Sequence, residues 1–307
     1  MADFKAADLP SLTGKTIVIS GTGGIGYESA FVLAGKGADI ILAGRNAAKG
    51  AESLAKVKRV YPEARIVFEV LDLADLSSIT AFAARMAASH DRIDTLVNNA
   101  AVMALPNRRA TRDGFEMQLG TNHLGHFALT AQLLPLLRAA KAPRVTTVAS
   151  TAARPSTRIN FDDLNAERRY SAWGAYQQSK MANLLFMFEL QRRSDANGWN
   201  ILSDAAQPGY ARTDLIANGP GIDSFFSRVT AAILRPIFSQ SASDGALPIV
   251  FAAASPQAAK SGYYGPQGLF ELKGPVGKSS VPPPAQDARV AAQLWAVSEK
   301  LTGVSFG

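Results

Sequence analysis

Tyr176 and Lys180 bracket the stretch Tyr176-Gln177-Gln178-Ser179-Lys180, which is suited to a helix. Residues four apart on a helix share a face. A phenol is a poor acid or base at neutral pH, with a pKa of about 10. A neighbouring ammonium stabilises the phenolate and brings proton exchange with a substrate oxygen within reach. Ser150, at the end of an apolar run, is placed to give a hydroxyl to that same oxygen. Asn122 lies in a long helical pattern, where Asn is a below-average helix former and marks a role other than packing.

A second stretch carries a different chemistry. Residues 15–30 read KTIVISGTGGIGYESA: a β-branched run, a glycine-rich turn, and an expected amphipathic helix from Tyr27. Strand, turn and helix N-terminus together form an anion site, because backbone N–H groups face outward and glycines let a pyrophosphate approach closely. Gly21-Thr22-Gly23-Gly24-Ile25-Gly26 matches the dinucleotide-binding pattern G-x-G-x-x-G in that context. Arg45 follows the second strand, where NAD enzymes place a carboxylate for the ribose 2′-hydroxyl. An Arg suits a 2′-phosphate, so NADP(H) is the expected cofactor. Asp39 lies too early in the strand to substitute.

The elements that must position these residues alternate. Apolar runs at 16–19, 38–43, 65–71, 95–97, 145–149 and 200–206 read as strands. Helical patterns fall at 27–34, 47–60, 77–88, 114–137 and 171–194. Strands alternating with helices at this spacing imply an α/β fold with a parallel, doubly wound sheet of about seven strands and right-handed crossovers. Continuous apolar strands are expected where helices cover both faces. With no repeat or linker, residues 1–307 read as a single Rossmann-type domain. Within it, 210–285 is rich in Gly, Pro and aromatic residues and is expected to serve as a substrate lid.

Composition narrows the function. The chain has 307 residues, 47% hydrophobic and 19% charged, which is globular composition. Its net charge of +7 is scattered, in keeping with a solvated surface and an anionic cofactor and not with a nucleic-acid partner. The absence of cysteine excludes disulfides, thiolate catalysis and cysteine-held zinc. His123 and His126 have no carboxylate companion, so no metal site is expected. Neither a secretory signal nor an apolar run of spanning length is visible, and a cytoplasmic protein is the expectation.

The order of the glycine turn, Asn98-Asn99-Ala100, Asn122, Ser150, Tyr176-x-x-x-Lys180 and Pro208-Gly209 resembles the short-chain dehydrogenase/reductase family, over roughly residues 12–265. Thr121-Asn122-His123-Leu124-Gly125-His126-Phe127, Ala43-Gly44-Arg45-Asn46 and Tyr263-Tyr264-Gly265-Pro266 resemble its retinol-dehydrogenase-like branch. Light-dependent protochlorophyllide reductases share several of these features, but usually present a cysteine near the active site.

The resemblance implies a role for each position. Tyr176 is the proton donor in carbonyl reduction, and Lys180 lowers its pKa and holds the nicotinamide ribose. Ser150, rather than Thr151, polarises the carbonyl, and Asn122 helps hold a relay water beside Lys180. Asp72 and Leu73 flank the adenine, Asn99 and Ala100 line the ribose side, and Thr213, after Pro208 and Gly209, bonds the carboxamide. The implied partner is a small-molecule ketone or alcohol, handled by a monomer or homo-oligomer.

Two departures stand out. The family turn T-G-x-x-x-G-x-G is one residue longer than Ser20–Gly26 here, which raises the alternative of an NADP-binding protein with weak or no catalysis. The short turn is expected to bind with altered pyrophosphate contacts, so that one small residue inserted between Gly21 and Thr22 strengthens NADPH binding. Gln207 stands where this branch often has His.

Overall fold

The computed structural model describes residues 4–156, 158–211 and 239–306. Thr213 and the aromatic residues Phe225, Phe226 and Phe238 of the expected lid lie outside them.

The expected alternation is present. Strand β1 (Thr16–Ser20) leads to α1 (Gly24–Gly35), β2 (Asp39–Gly44), α2 (Ala47–Val60), β3 (Ile66–Val70), α3 (Leu76–Ser89) and β4 (Thr95–Asn98). The next helix, α4, has three parts: a short α-helical turn (Met117–Leu119), a π-helical stretch (Gly120–Leu124) and a regular α-helix (Gly125–Arg138). Then come β5 (Arg144–Val148), α5 (Ala172–Asn197), β6 (Leu202–Ala206), α6 (Ala242–Ala254), β7 (Tyr263–Pro266), β8 (Val276–Lys278) and α7 (Ala288–Thr302).

Among the described residues, eight strands form one sheet in the order β3-β2-β1-β4-β5-β6-β7-β8, all parallel except the final β7–β8 pair. The sheet is therefore one strand wider than expected, because the short hairpin strand β8 adds an antiparallel edge. Strand order reverses between β1 and β4, and the crevice at such a switch point is where doubly wound sheets bind ligands.

Strand periodicity explains the continuous apolar runs. Val18, Ile41 and Leu96 face the core with Phe82, Phe127, Phe186 and Trp295, on the side of α3, α4, α5 and α7. Ile17, Ile19, Ile40, Leu42 and Val97 face the other core with Leu33 and Phe251, under α1 and α6. With both faces covered, successive strand residues are buried alternately above and below. β3 departs from this pattern: at the sheet edge, Val67 and Val70 are half exposed.

Helix α4 begins later than the expected residue 114. Glu116 serves as its cap, accepting from the N–H groups of Gln118 and Leu119, and a bridge joins Ala110 to Glu116. Among the described residues, no helix is long and apolar enough to cross a membrane.

Candidate active site

The carboxyl ends of the central strands open into a cleft of about 940 Å3. On its β1 side, Gly21 to Ile25 form the wall. Gly21 sits at φ +96°, and a Cβ there would stand 2.8 Å from Asn99 Nδ2. Gly26 lies behind the wall, where a Cβ would stand 2.3 Å from the Gly21 carbonyl, so its smallness serves close helix–strand packing. The Gly21 N–H donates to Ala43 O at 2.7 Å, and Ser53 Oγ donates to Thr22 O at 2.7 Å. Gly23 caps α1 with no side chain to occupy the helix's first N–H groups. A backbone cradle of this kind, at a helix N-terminus and without side chains in the way, fits a pyrophosphate. The short turn therefore still delivers a cradle, braced by β2 and α2.

Arg45, Asn46 and Lys49 line the cleft beyond β2. Asn46 starts α2 by accepting from the Lys49 N–H at 3.0 Å. Lys49 is in the first turn of α2 and Arg45 lies just before its cap, and neither side chain is in an ion pair among the described residues. Asp39, by contrast, is paired with Arg65 at the other end of β2. Two cations without an ion pair among the described residues fit a phosphate here better than a bare ribose hydroxyl. Lys49 was not foreseen, although its i+4 spacing from Arg45 was visible. Asp72 and Leu73 are also on the wall. Ser78 Oγ accepts from the Asp72 N–H at 2.9 Å, and Asp72 Oδ1 accepts from the Ala74 N–H at 3.0 Å, which fixes their turn.

Ser150, Tyr176 and Lys180 meet on the β5 side. Ser171 caps α5 by accepting from the Gly174 N–H, which sets the helical phase that turns Trp173, Tyr176 and Lys180 to the cleft. The Ser150 hydroxyl oxygen accepts from the Ala152 N–H at 3.1 Å, and the hydroxyl also bonds the Tyr176 side chain. Lys180 Nζ donates to Val148 O at 2.9 Å and lies 5.8 Å from the Tyr176 ring centre.

The electrostatics correct one expectation. Burial pushes the Tyr176 phenol up to about 12, offset only in part by the Ser150 hydroxyl. Burial also pulls the Lys180 ammonium down to about 7. Lys180 does not bring Tyr176 down: its Nζ is turned to the Val148 carbonyl, and the Ser150 hydroxyl is what opposes the burial. Tyr176 is thus a protonated acid at neutral pH.

Asn122 is not on the cleft wall. Its Oδ1 accepts from the Val102 N–H at 2.8 Å, and its Nδ2 donates to Val102 O at 2.9 Å and Ser179 Oγ at 3.0 Å. The side chain expected to hold a relay water is committed to these three bonds, tying the π-helical stretch to the loop after β4 and to α5. Such π-stretches frequently occur at functional sites. His123 and His126 also have structural partners: His123 Nε2 is 2.9 Å from Ser298 Oγ, and His126 links Ser20 to Asn122 O.

The cleft therefore gathers Gly21, Thr22, Gly23, Gly24, Ile25, Arg45, Asp72, Leu73, Asn99, Ala100, Ser150, Tyr176, Lys180, Pro208 and Gly209. Gly26 and Asn122 stand behind it. Unforeseen wall residues include Met103, Trp173 and Leu272. Trp173 packs edge-on to Tyr176 with ring centres 6.0 Å apart, and its position three residues earlier on the helix was a usable signal. Leu272 had none, since only the tertiary fold brings it here.

Comparisons with known proteins converge on one family. The family model described as short chain dehydrogenase matches residues 15–219. Human retinol dehydrogenase 13 is 38% identical over 297 residues, covering 96% of this chain and 86% of the relative. Polyprenol dehydrogenase of Mus musculus is 36% identical over 310 residues, covering 99% and 89%. A crystal structure of an uncharacterized protein from Mycobacterium Paratuberculosis superposes with a TM-score of 0.81 and 40% identity, covering all of both chains.

Proposed function

We propose that this protein, which belongs to the short-chain dehydrogenase/reductase family of oxidoreductases and to its retinol-dehydrogenase-like branch, is an NADPH-dependent carbonyl reductase working in either direction. Its substrate class is a bulky apolar ketone or aldehyde and the corresponding alcohol. The protonated, buried Tyr176 beside the Ser150 hydroxyl on the cleft wall carries this reading.

A bound nicotinamide dinucleotide supplies or accepts the hydride. The glycine turn would hold its pyrophosphate, and Arg45 and Lys49 its 2′-phosphate. Ser150 orients the substrate oxygen by donating its hydroxyl proton. Tyr176 Oη gives its proton to that oxygen as negative charge develops, and takes it back in the oxidation direction. Lys180, desolvated behind Tyr176, is suited to exchange a proton near neutral pH. Val102, Met103, Trp173 and Leu272 support an apolar substituent on the substrate. The names of the relatives extend the class to long apolar primary alcohols and their aldehydes. Of the segment 210–285, Tyr210, Ala211 and Leu272 line the cleft and give its substrate side.

Turnover of a panel of ketones, aldehydes and alcohols with NADPH and NADH in parallel tests the reading. Tyr176→Phe is expected to lower kcat about 10³-fold with NADPH affinity near normal. Unchanged turnover in that variant removes the assignment.

A further inference from the structure

Gln207 and Glu271 are far apart in sequence and outside the proton-transfer group, yet they meet beside the cleft. Gln207 follows β6. Its Oε1 accepts from the Gly209 N–H at 2.6 Å. Its Nε2 is 3.3 Å from Glu271 O, from Glu271 Oε2 and from Ser279 Oγ. Glu271 Oε1 accepts from the Ser280 N–H at 3.0 Å and from Ser280 Oγ at 2.9 Å. The same carboxylate pairs with Arg154, whose Nη1 donates to Phe270 O at 3.3 Å.

These bonds hold an unfavourable backbone. Phe270 and Glu271 have φ of +54° and +57°, two successive side-chain-bearing residues in the left-handed region. Such conformations persist only where the surroundings over-determine them, and they cluster at ligand sites. Here the consequence lies at the next residue. Leu272 is on the cleft wall, and its carbonyl accepts from the Tyr210 N–H at 2.8 Å. A Cβ on Gly209 would stand 2.3 Å from that carbonyl, so the Pro208–Gly209 turn and the Leu272 loop are in direct contact. The buried Tyr263 phenol feels the charges of Arg154, Glu271 and Tyr176, which sets this network close to the proton donor.

We infer that Gln207, Glu271 and Arg154 are positioning residues: a strut that holds Leu272 against the Gly209 turn and so sets the width of the cleft's substrate side. The inference rests on the proposed reductase function and deepens it, since the strut decides how large an apolar substituent is admitted. It also gives Gln207 a role in this chain: one amide, by donating and accepting, ties the turn after β6 to the strained loop.

The test compares Gln207→Leu, Glu271→Gln, Arg154→Met and Arg154→Lys in the full-length protein. KM and kcat are measured for a series of alkyl ketones of increasing chain length, with the pH profile of kcat. Hydrogen exchange at residues 209–210 and 268–274 is measured alongside. The first three variants are expected to change KM about tenfold more for the longest ketone than for the shortest, with an unchanged pH profile and faster exchange in both segments. Arg154→Lys is expected to behave close to the wild type. A kcat loss equal for all ketones, or KM and exchange both unaltered, overturns the strut. If the wild type turns over no substrate, the reductase reading fails, and the exchange data alone then uphold or overturn the strut.

Discussion

The Ser20 hydroxyl donates to Nε2 of His126 across 2.8 Å, from the last residue of β1 to the middle of α4. The direction follows from the neighbours. His126 Nδ1 faces the Asn122 carbonyl at 3.0 Å and must donate to it, leaving Nε2 as an acceptor. Ser20 Oγ in turn accepts from the N–H groups of Asn99 and Ala100 at 2.9 and 3.0 Å. One neutral imidazole thus ties the glycine turn, the end of β4 and the π-helical stretch together.

Removing that imidazole strands buried partners. His126→Phe is expected to destabilise the fold by about 2–4 kcal/mol, because the Asn122 carbonyl and the Ser20 hydroxyl lose their bonds inside the protein. Burial holds His126 down to about 4 and His123 down to about 3. The unfolded chain therefore binds protons that the fold excludes, and stability falls as pH drops below about 6.5. Urea melts at pH 7 and pH 5 are expected to differ by about 2 kcal/mol per histidine, and His126→Phe loses one of those shares.

Cofactor choice is expected to depend on two cations. Arg45→Ala and Lys49→Met should each weaken NADPH about tenfold, the double variant more, with NADH affinity little changed. Titration of both cofactors checks this, and equal losses for both would show that neither side chain meets the 2′-phosphate.

The glycine turn is fitted at its present length. Its bonds to Ala43 and Ser53 brace it, and a Cβ on Gly44 would stand 2.8 Å from the Thr22 methyl, so the turn is packed closely against β2. Inserting Ala between Gly21 and Thr22 is expected to weaken NADPH binding tenfold or more, the reverse of what the family spacing suggests. Calorimetric titration distinguishes the two.

Asp204 is buried in β6, its carboxyl pushed up to about 8 by desolvation against the attraction of Arg144. Thr146 donates to one oxygen at 2.6 Å, and the other has no partner among the described residues. The fold keeps this carboxyl protonated where the unfolded chain ionises it, so its contribution to stability declines as pH rises from about 4 to about 8. Asp204→Asn removes that dependence. Its stability relative to the wild type is expected to improve between pH 5 and pH 8, by at most about 4 kcal/mol, read from thermal or urea melts.

Short-range spacing made much of this protein legible in its sequence. Val18 and Ile41 on one face of the sheet and Ile17 and Ile40 on the other produce the unbroken apolar runs that announce covered parallel strands. Tyr176 and Lys180 share a helical face because four residues make about one turn. Glycines at 21, 23, 24 and 26 mark the place where backbone must approach a ligand. These are local rules, and the sequence by itself determined the fold class and the order in which the cleft residues follow one another.

Tertiary structure decided what depends on neighbours distant in the chain. The Tyr176 phenol is raised because packing removes water from it, and no spacing encodes that desolvation. Asn122 is a tie to Val102 and Ser179 and not a wall residue, since a π-helical stretch turns its side chain into the protein. Leu272 reaches the cleft only because Gln207, Arg154 and Ser280 hold the adjoining backbone left-handed. Sequence spacing fixes which residues share an element and a face; burial and long-range contacts fix their charge states and the shape of the cleft they line.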